Sequence, residues 1–216
     1  MTRLSDYDTS RTSEALVKES HRITSKDTPE VRSILLSVSH PDFSYREGQN
    51  IGITVPGAKA FGHEQHFRLY TIANTPRQTE GGDIEIELCV RRCFYIDEVS
   101  GEEYPGLASN FLCDARPGDR IAFTGPYGDA FRIPEDPATN LLMIGTGTGI
   151  APFRAFIQHI YEKQPDWQGQ VRLFYGARTG TETLYRNDLN DDLSNYYDRD
   201  TFEAFEGLSQ RPWMDR

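Results

Sequence analysis

Leu141-Leu142-Met143-Ile144-Gly145-Thr146-Gly147-Thr148-Gly149-Ile150-Ala151-Pro152-Phe153 is the stretch whose reading decides the fold. Four apolar residues running into glycine read as a short buried strand of a parallel sheet. Beyond the turn, Phe153, Phe156, Ile157, Ile160 and Tyr161 recur at helical spacing. Strand, glycine turn and helix in that order aim unpaired N–H groups and a partial positive charge at the turn. Its glycines let a pyrophosphate approach the backbone. A glycine turn with no ligand is the alternative, and the strand-before, helix-after context argues against it. The dinucleotide fingerprint G-x-G-x-x-G is not met, because counting from Gly147 its last place holds Pro152. Proline is tolerated in a first helical turn, where its missing N–H has no intrahelical partner to lose.

Downstream, residues 171–175 form a second apolar strand, Leu184, Leu189 and Leu193 suggest another helix, and 201–208 a third strand. That alternation predicts a parallel sheet in an α/β domain over residues 137–216. The acidic residue that usually follows the second strand and holds a ribose hydroxyl is absent, and Gly176-Ala177-Arg178 stands there. An arginine welcomes a 2′-phosphate that a carboxylate would repel, which leans toward NADP over NAD.

Upstream of Pro134–Pro137 the pattern is β-like. Residues 31–39, 50–55, 66–73, 83–92 and 120–125 are strand candidates separated by loops containing Pro, Gly and Asp. With one brief apolar segment at 107–113, they predict an antiparallel, closed or nearly closed β-barrel over 23–136 with a helix at its mouth. Residues 1–22 are polar without a clear apolar period and read as a mobile tail.

The net charge of −10, from 33 acidic and 23 basic residues, argues against nucleic acid and anionic membrane as partners. Only four of the 23 basic residues are lysines, and arginine suits bidentate phosphate contacts. No apolar run reaches membrane-spanning length and the first twenty residues are polar, so a cytoplasmic location is expected. Cys89, Cys93 and Cys113 are too few for an iron–sulfur cluster and read as reduced thiols. His63 and His66 lack a set of ligands to complete a metal site. Asp97-Glu98 and Glu102-Glu103 flank Gly101 as an acidic hairpin loop, with nothing apolar around them to raise a carboxyl pKa for acid–base work.

The segment Gly147–Phe153 resembles the NADP-site turn of plant-type ferredoxin–NADP reductases. Four further blocks resemble that family in the same order. They are Tyr45-Arg46-Glu47-Gly48-Gln49 on an early strand; Arg68-Leu69-Tyr70-Thr71; Leu88-Cys89-Val90-Arg91-Arg92 with Tyr95; and Ser109-Asn110-Phe111-Leu112-Cys113-Asp114 with Pro117-Gly118-Asp119 and Thr124-Gly125-Pro126-Tyr127-Gly128. The resemblance spans residues 32–189 and implies an FAD-binding barrel followed by an NADP(H)-binding domain.

It further implies that Arg68 pairs with the flavin pyrophosphate, Tyr70 stacks on the isoalloxazine and Thr71 bonds near flavin N5, so that Tyr70 and Thr71 frame the reacting ring. Arg92 would be a second phosphate contact or a solvated strand end. Tyr95 would stack on adenine or be half-buried without a ligand. Ser109 and Asn110 would open the helix facing the pyrophosphate, or simply cap it. Thr146, Gly147, Thr148 and Gly149 would take NADP, with Thr148 nearest the nicotinamide. Ser209 and Arg211, or Arg178, would take the 2′-phosphate. The family runs on through further strand–helix units beyond this chain's last residue. The chain is therefore expected to be shortened, with a thin sheet whose edge is exposed or covered by a partner. The implied activity is hydride exchange between NADPH and FAD, with single electrons passed to a ferredoxin, a flavodoxin or an oxygenase component. A cluster of Arg46, Arg91 and Arg92 is a candidate dock. A non-catalytic FAD-binding module is the rival reading.

Overall fold

The structure, a computed structural model, describes residues 7–57, 64–186 and 193–210. Its first unit comprises β1 (Thr12–Arg22), β2 (Val31–Val38), β3 (Asn50–Pro56), β4 (Gln65–Thr71), β5 (Arg77–Gln78), β6 (Ile84–Arg91), β7 (Phe94–Ile96), β8 (Glu103–Pro105), helix α1 (Leu107–Asp114) and β9 (Arg120–Tyr127). The main sheet runs β4-β3-β9-β1-β2-β6-β5, with the assigned neighbours antiparallel. Just past β4, Ile72 bridges to Leu88 of β6, and the Ala73 N–H donates to the Glu87 carbonyl at 2.8 Å. These bonds tie the end of the outer strand β4 to β6, next to the other edge, and curl the sheet into a barrel-like, nearly closed form.

Period-two alternation builds its interior. Ile34 and Leu36 of β2, Ile51 and Ile53 of β3, and Ile86 and Leu88 of β6 are fully buried in one cluster. Leu112 of α1 lies in the same cluster, so the helix plugs one end.

Residues 12–22 of the expected mobile tail are instead strand β1, lying between β9 and β2. The apolar signal is weak because only Ala15 and Val17 are buried along its length, and the register shifts between Val17 and Glu19. Backbone pairing on both sides, which leaves no mark on hydropathy, holds the strand. Tyr45–Gln49 lies in the turn before β3 rather than on a strand. Gly48 has φ +84, and a Cβ there would sit 2.2 Å from the Phe131 carbonyl oxygen.

The second unit holds β10 (Leu141–Thr146), helix α2 (Ala151–Lys163), β11 (Val171–Ala177) and β12 (Phe202–Leu208), a parallel sheet ordered β10-β11-β12. A 3-10 turn, Gly147–Ile150, separates β10 from α2, so Pro152 falls in the helix's first turn. One sheet face, with Met143 and Leu173, is buried with Ile157 and Ile160 of α2. The opposite face is open: Leu142 and Ile144 are 66% and 67% exposed, and Phe174 stacks on Phe205 at 4.7 Å. The apolar run of β10 is therefore buried on one side only.

The helix expected around Leu184–Leu193 is not formed by the described residues. They show 3-10 turns at Gly180–Glu182 and Ser194–Tyr196, and Leu189 lies outside them. Tyr185, at φ 57, cannot continue a right-handed helix, and Leu184 and Leu193 are buried as loop anchors.

Helix α2 also fastens the two units together. Arg154 pairs with Glu87 at 2.8 Å, donates to the Ala73 carbonyl at 2.8 Å, and lies 4.5 Å from the Tyr185 ring centroid. Five residues on, His159 Nδ1 meets Glu47 at 2.7 Å, and Glu47 also accepts the Thr75 hydroxyl. Lys163 donates to the Pro76 carbonyl at 2.6 Å.

Candidate functional site

Where the units meet, a cleft of about 1000 Å³ opens. Arg68, Tyr70 and Thr71 of β4 line one wall and Ser109 of α1 its floor. Thr148, Gly149 and Pro152 at the glycine turn and the start of α2 line it too, as do Tyr95 and Tyr104 of the β7–β8 hairpin.

Tyr70 packs against the barrel core while lining the cleft. Burial pushes its phenol well above the ordinary range, so it stays a neutral flat surface. The Thr71 hydroxyl donates to Asn50 Oδ1 at 2.6 Å, which leaves its oxygen lone pairs to accept from a ligand N–H. Cys89 lines the same cleft, and burial raises its thiol to about 12, so it remains protonated.

Anion-binding groups converge on the floor. Helix α1 is N-capped by Gly106 with no side-chain cap, so its first-turn N–H groups stay available. Close packing requires glycine there, because a Cβ would lie 3.0 Å from Ser109 Oγ and 3.2 Å from the Cys93 carbonyl oxygen. Among the described residues the Arg68 guanidinium bonds only the adjacent Phe67 carbonyl, at 3.1 Å. A flat neutral ring, an uncapped helix start and an uncommitted guanidinium on one cleft fit a flavin carrying a pyrophosphate.

The structure does not bring Arg92 into this cleft. Its guanidinium goes to Glu30 at 2.7 Å, Asn110 at 2.8 Å and Asp114 at 2.8 Å. Asn110 likewise serves the protein, donating to the Cys93 and Gly106 carbonyls at 2.9 and 2.8 Å. Arg91 lines the cleft instead, and it makes no ion pair among the described residues. Sequence reading missed it because two successive arginines at a strand end cannot be assigned to faces until the register and Glu30 are seen. Arg46 is bound to Asp129, so the cluster of Arg46, Arg91 and Arg92 does not stand as three unpaired cations.

Thr146 and Gly147 do not line the cleft, and the Tyr175 hydroxyl donates to the Gly147 carbonyl at 3.2 Å. The carboxyl ends of the parallel strands gather the remaining candidates. The Ser209 N–H donates to the Ala177 carbonyl at 3.1 Å and the Gln210 N–H to the Arg178 carbonyl at 2.8 Å, which sets Ser209 beside Arg178. Arg178 is paired with Glu182 at 3.0 Å. Arg211 and His63 lie outside the described residues. Asp97 through Glu102 form the tip of the β7–β8 hairpin, and Glu103 opens β8 opposite Ile96. Among the described residues no cluster of His, Cys, Asp and Glu could hold a metal ion, and no helix is long and apolar enough to cross a membrane.

Comparison with known proteins bears on this geometry. Residues 15–131 match the oxidoreductase FAD-binding domain family and residues 143–213 the oxidoreductase NAD-binding domain family. Ferredoxin–NADP reductase of Thermosynechococcus vestitus is 39% identical over 171 residues, covering 78% of this chain and 44% of the relative. The chloroplastic leaf isozyme 1 of Arabidopsis thaliana is 38% identical over 171 residues, covering 78% and 47%. This chain thus spans less than half the length of the curated relatives it matches. A solved Plasmodium falciparum ferredoxin–NADP+ reductase with 2′P-AMP superposes with a TM-score of 0.71 at 19% identity, covering 96% of this chain and 77% of that one. That likeness shows a shared fold. A barrel-like antiparallel sheet, a parallel sheet after it and both domain matches in that order have one reading: the chain belongs to the oxidoreductase FAD-binding domain family, here followed by an oxidoreductase NAD-binding domain.

Proposed function

We propose that the chain is a cytoplasmic flavoprotein reductase that exchanges hydride between NADPH and FAD and single electrons with a carrier protein. One observation carries this reading: Tyr70 and Thr71 of the barrel and Thr148 and Gly149 of the dinucleotide turn line a single cleft. FAD, when bound, supplies the conversion between a two-electron hydride and single electrons. The protein positions the reactants. Arg68 and the uncapped start of α1 hold the pyrophosphate, with Ser109 beside them and Arg91 as a further cation. Tyr70 gives a ring a flat neutral face, and Thr71, its proton held by Asn50, accepts from an N–H at the reacting edge. Thr148 and Gly149 admit the nicotinamide opposite, while Thr146 and Gly147 shape the turn behind them. Arg178 and Ser209, with Arg211 two residues beyond Ser209 in the chain, receive the 2′-phosphate.

The curated relatives are named ferredoxin–NADP reductases, which supports a ferredoxin as the electron partner. A flavodoxin or an oxygenase component is the alternative. With a net charge of −10, such docking relies on local cations rather than on the overall field. A second reading, a non-catalytic FAD-binding module, draws on the pairing of Arg178 with Glu182, which competes with a 2′-phosphate. Anaerobic mixing of the FAD-loaded protein with NADPH separates the two. Rapid bleaching of the flavin bands supports the reductase; tight FAD binding without bleaching supports the module. A protein that takes up no FAD on titration refutes both.

A further inference from the structure

Helix α2 begins at the cleft and ends on the barrel. Ala151 and Pro152 line the cleft beside Thr148 and Gly149. His159 lies about two turns, or about 10 Å, further along the axis and does not line it. There the ring is held at both nitrogens: Nδ1 bonds the Glu47 carboxylate at 2.7 Å, and Gln164 Nε2 lies 3.2 Å from Nε2. The Glu47 and His159 side chains are 9% and 24% exposed.

The barrel side of this contact continues the ladder that carries Thr71. Asn50 of β3 holds the Thr71 hydroxyl of β4, the Ile72 N–H donates to the Gln49 carbonyl at 3.0 Å, and the bond from the Thr75 hydroxyl to Glu47 is the next cross-link out. A pull at Glu47 thus reaches Thr71 through hydrogen-bonded chain.

The other polar grips of α2 lie mainly along one stripe. Arg154 holds the Ala73 carbonyl at 2.8 Å, Gln158 accepts the Thr75 N–H at 3.2 Å, and Glu162 meets Arg77 at 3.3 Å. Their i, i+4 spacing puts them on one helix face, so they form a line about which the second unit can roll. Phe131 packs on Phe153 and Phe156 at 5.9 and 5.0 Å between centroids, an apolar contact without direction. His159 stands about 100° round the helix from Gln158 and reaches a different barrel segment. Lys163 shares its stripe, but this exposed side chain meets the Pro76 carbonyl through a flexible stem.

We propose that His159 is a positioning residue for hydride transfer. By bonding Glu47 away from the roll line, it fixes how the second unit sits and so the spacing of Thr148 and Gly149 from Tyr70 and Thr71. This rests on the reading that those pairs take the nicotinamide and the flavin, and it gives a task to a residue outside the cleft.

The test compares the FAD-loaded wild type, His159→Ala and His159→Asn, the last of which places an amide N–H near the position of Nδ1. NADP+ titration reads the long-wavelength absorbance of a nicotinamide stacked on a flavin, and stopped flow reads anaerobic bleaching by NADPH. In His159→Ala the long-wavelength absorbance weakens. Its limiting bleaching rate falls about tenfold, less than the roughly hundredfold cost of a misplacement of about 1 Å. The half-saturating NADPH concentration and the FAD affinity are unchanged, because the groups that bind each ligand are untouched. His159→Asn recovers most of the rate and the absorbance. An Ala variant that matches the wild type in both, an Ala variant that loses FAD in proportion to its rate, or an Asn variant no better than Ala overturns this inference. Bleaching of the wild type leaves the reductase reading standing in each of those cases. A wild type that takes up FAD without bleaching, or takes up none, overturns both.

Discussion

Replacing Arg154 with methionine tests whether one buried ion pair sets how the two units sit. The Arg154 and Glu87 side chains are 5% and 15% exposed, and their atoms approach to 2.8 Å. Methionine keeps most of the aliphatic stem and removes the cation, leaving Glu87 buried with only neutral donors such as the Ser33 hydroxyl. Removing one partner of a buried pair costs about 3–5 kcal/mol. The lost cation–π contact with Tyr185 adds about 1–2 kcal/mol at most, and the terms are not additive. Because Glu87 keeps the Ser33 hydroxyl, the expected loss is near the lower end, about 3 kcal/mol. With a urea slope of about 2 kcal/mol/M, the unfolding midpoint falls by about 1.5 M. The double variant Arg154→Met/Glu87→Gln removes both charges and recovers about 2 kcal/mol of that loss, a coupling readable in a double-mutant cycle. A single variant that loses less than about 1 kcal/mol, or a double variant that simply sums its parents, would show that the clamp lies elsewhere.

Three further outcomes are expected. Arg68→Ala weakens FAD by about 1.5–3 kcal/mol, the range for a hydrogen bond to a charged group, and isothermal titration against the wild type measures it. Arg91→Ala weakens dinucleotide or flavin phosphate binding although Arg91 makes no ion pair among the described residues, whereas Arg92→Ala chiefly lowers stability; the reverse pattern would restore Arg92 as the ligand. Burial alone would raise the Glu47 carboxyl, but its bonds to His159 and Thr75 outweigh this and hold it below the ordinary carboxylate range. Its contribution to stability is therefore complete above about pH 5 and is lost as the pH falls through its folded value. Glu47→Gln should flatten the acid limb of urea midpoints measured against pH, and an unchanged limb would remove Glu47 from that role.

The barrel strands that sequence reading located share one property: alternating apolar residues face the barrel interior, as Ile84 to Leu88 and Ile51 to Val55 do. Strand β1 escaped because a strand between two others can satisfy its backbone through them while burying little more than Ala15 and Val17. The glycine turn was legible because glycines and Pro152 mark backbone geometry directly. Arg91 and the Tyr104 ring were not, since both depend on cross-strand register, a relation between distant segments. Leu142 and Ile144 misled for the opposite reason. Hydropathy records what a residue prefers, and nothing among the described residues covers that face.

The bridge from Ile72 to Leu88 has a physical consequence for how the protein fails on warming. With β4 bridged to β6, the curled sheet offers fewer unpaired backbone donors to a neighbouring molecule than an open one, so the barrel is a poorer seed for intermolecular pairing. Among the described residues, β10 and β12 are the outer strands of an unclosed sheet, and the Phe174–Phe205 stack lies on its bare side. Self-association should therefore start there, and a charged residue in place of Ile144 should raise the concentration at which the protein stays clear without touching the flavin cleft.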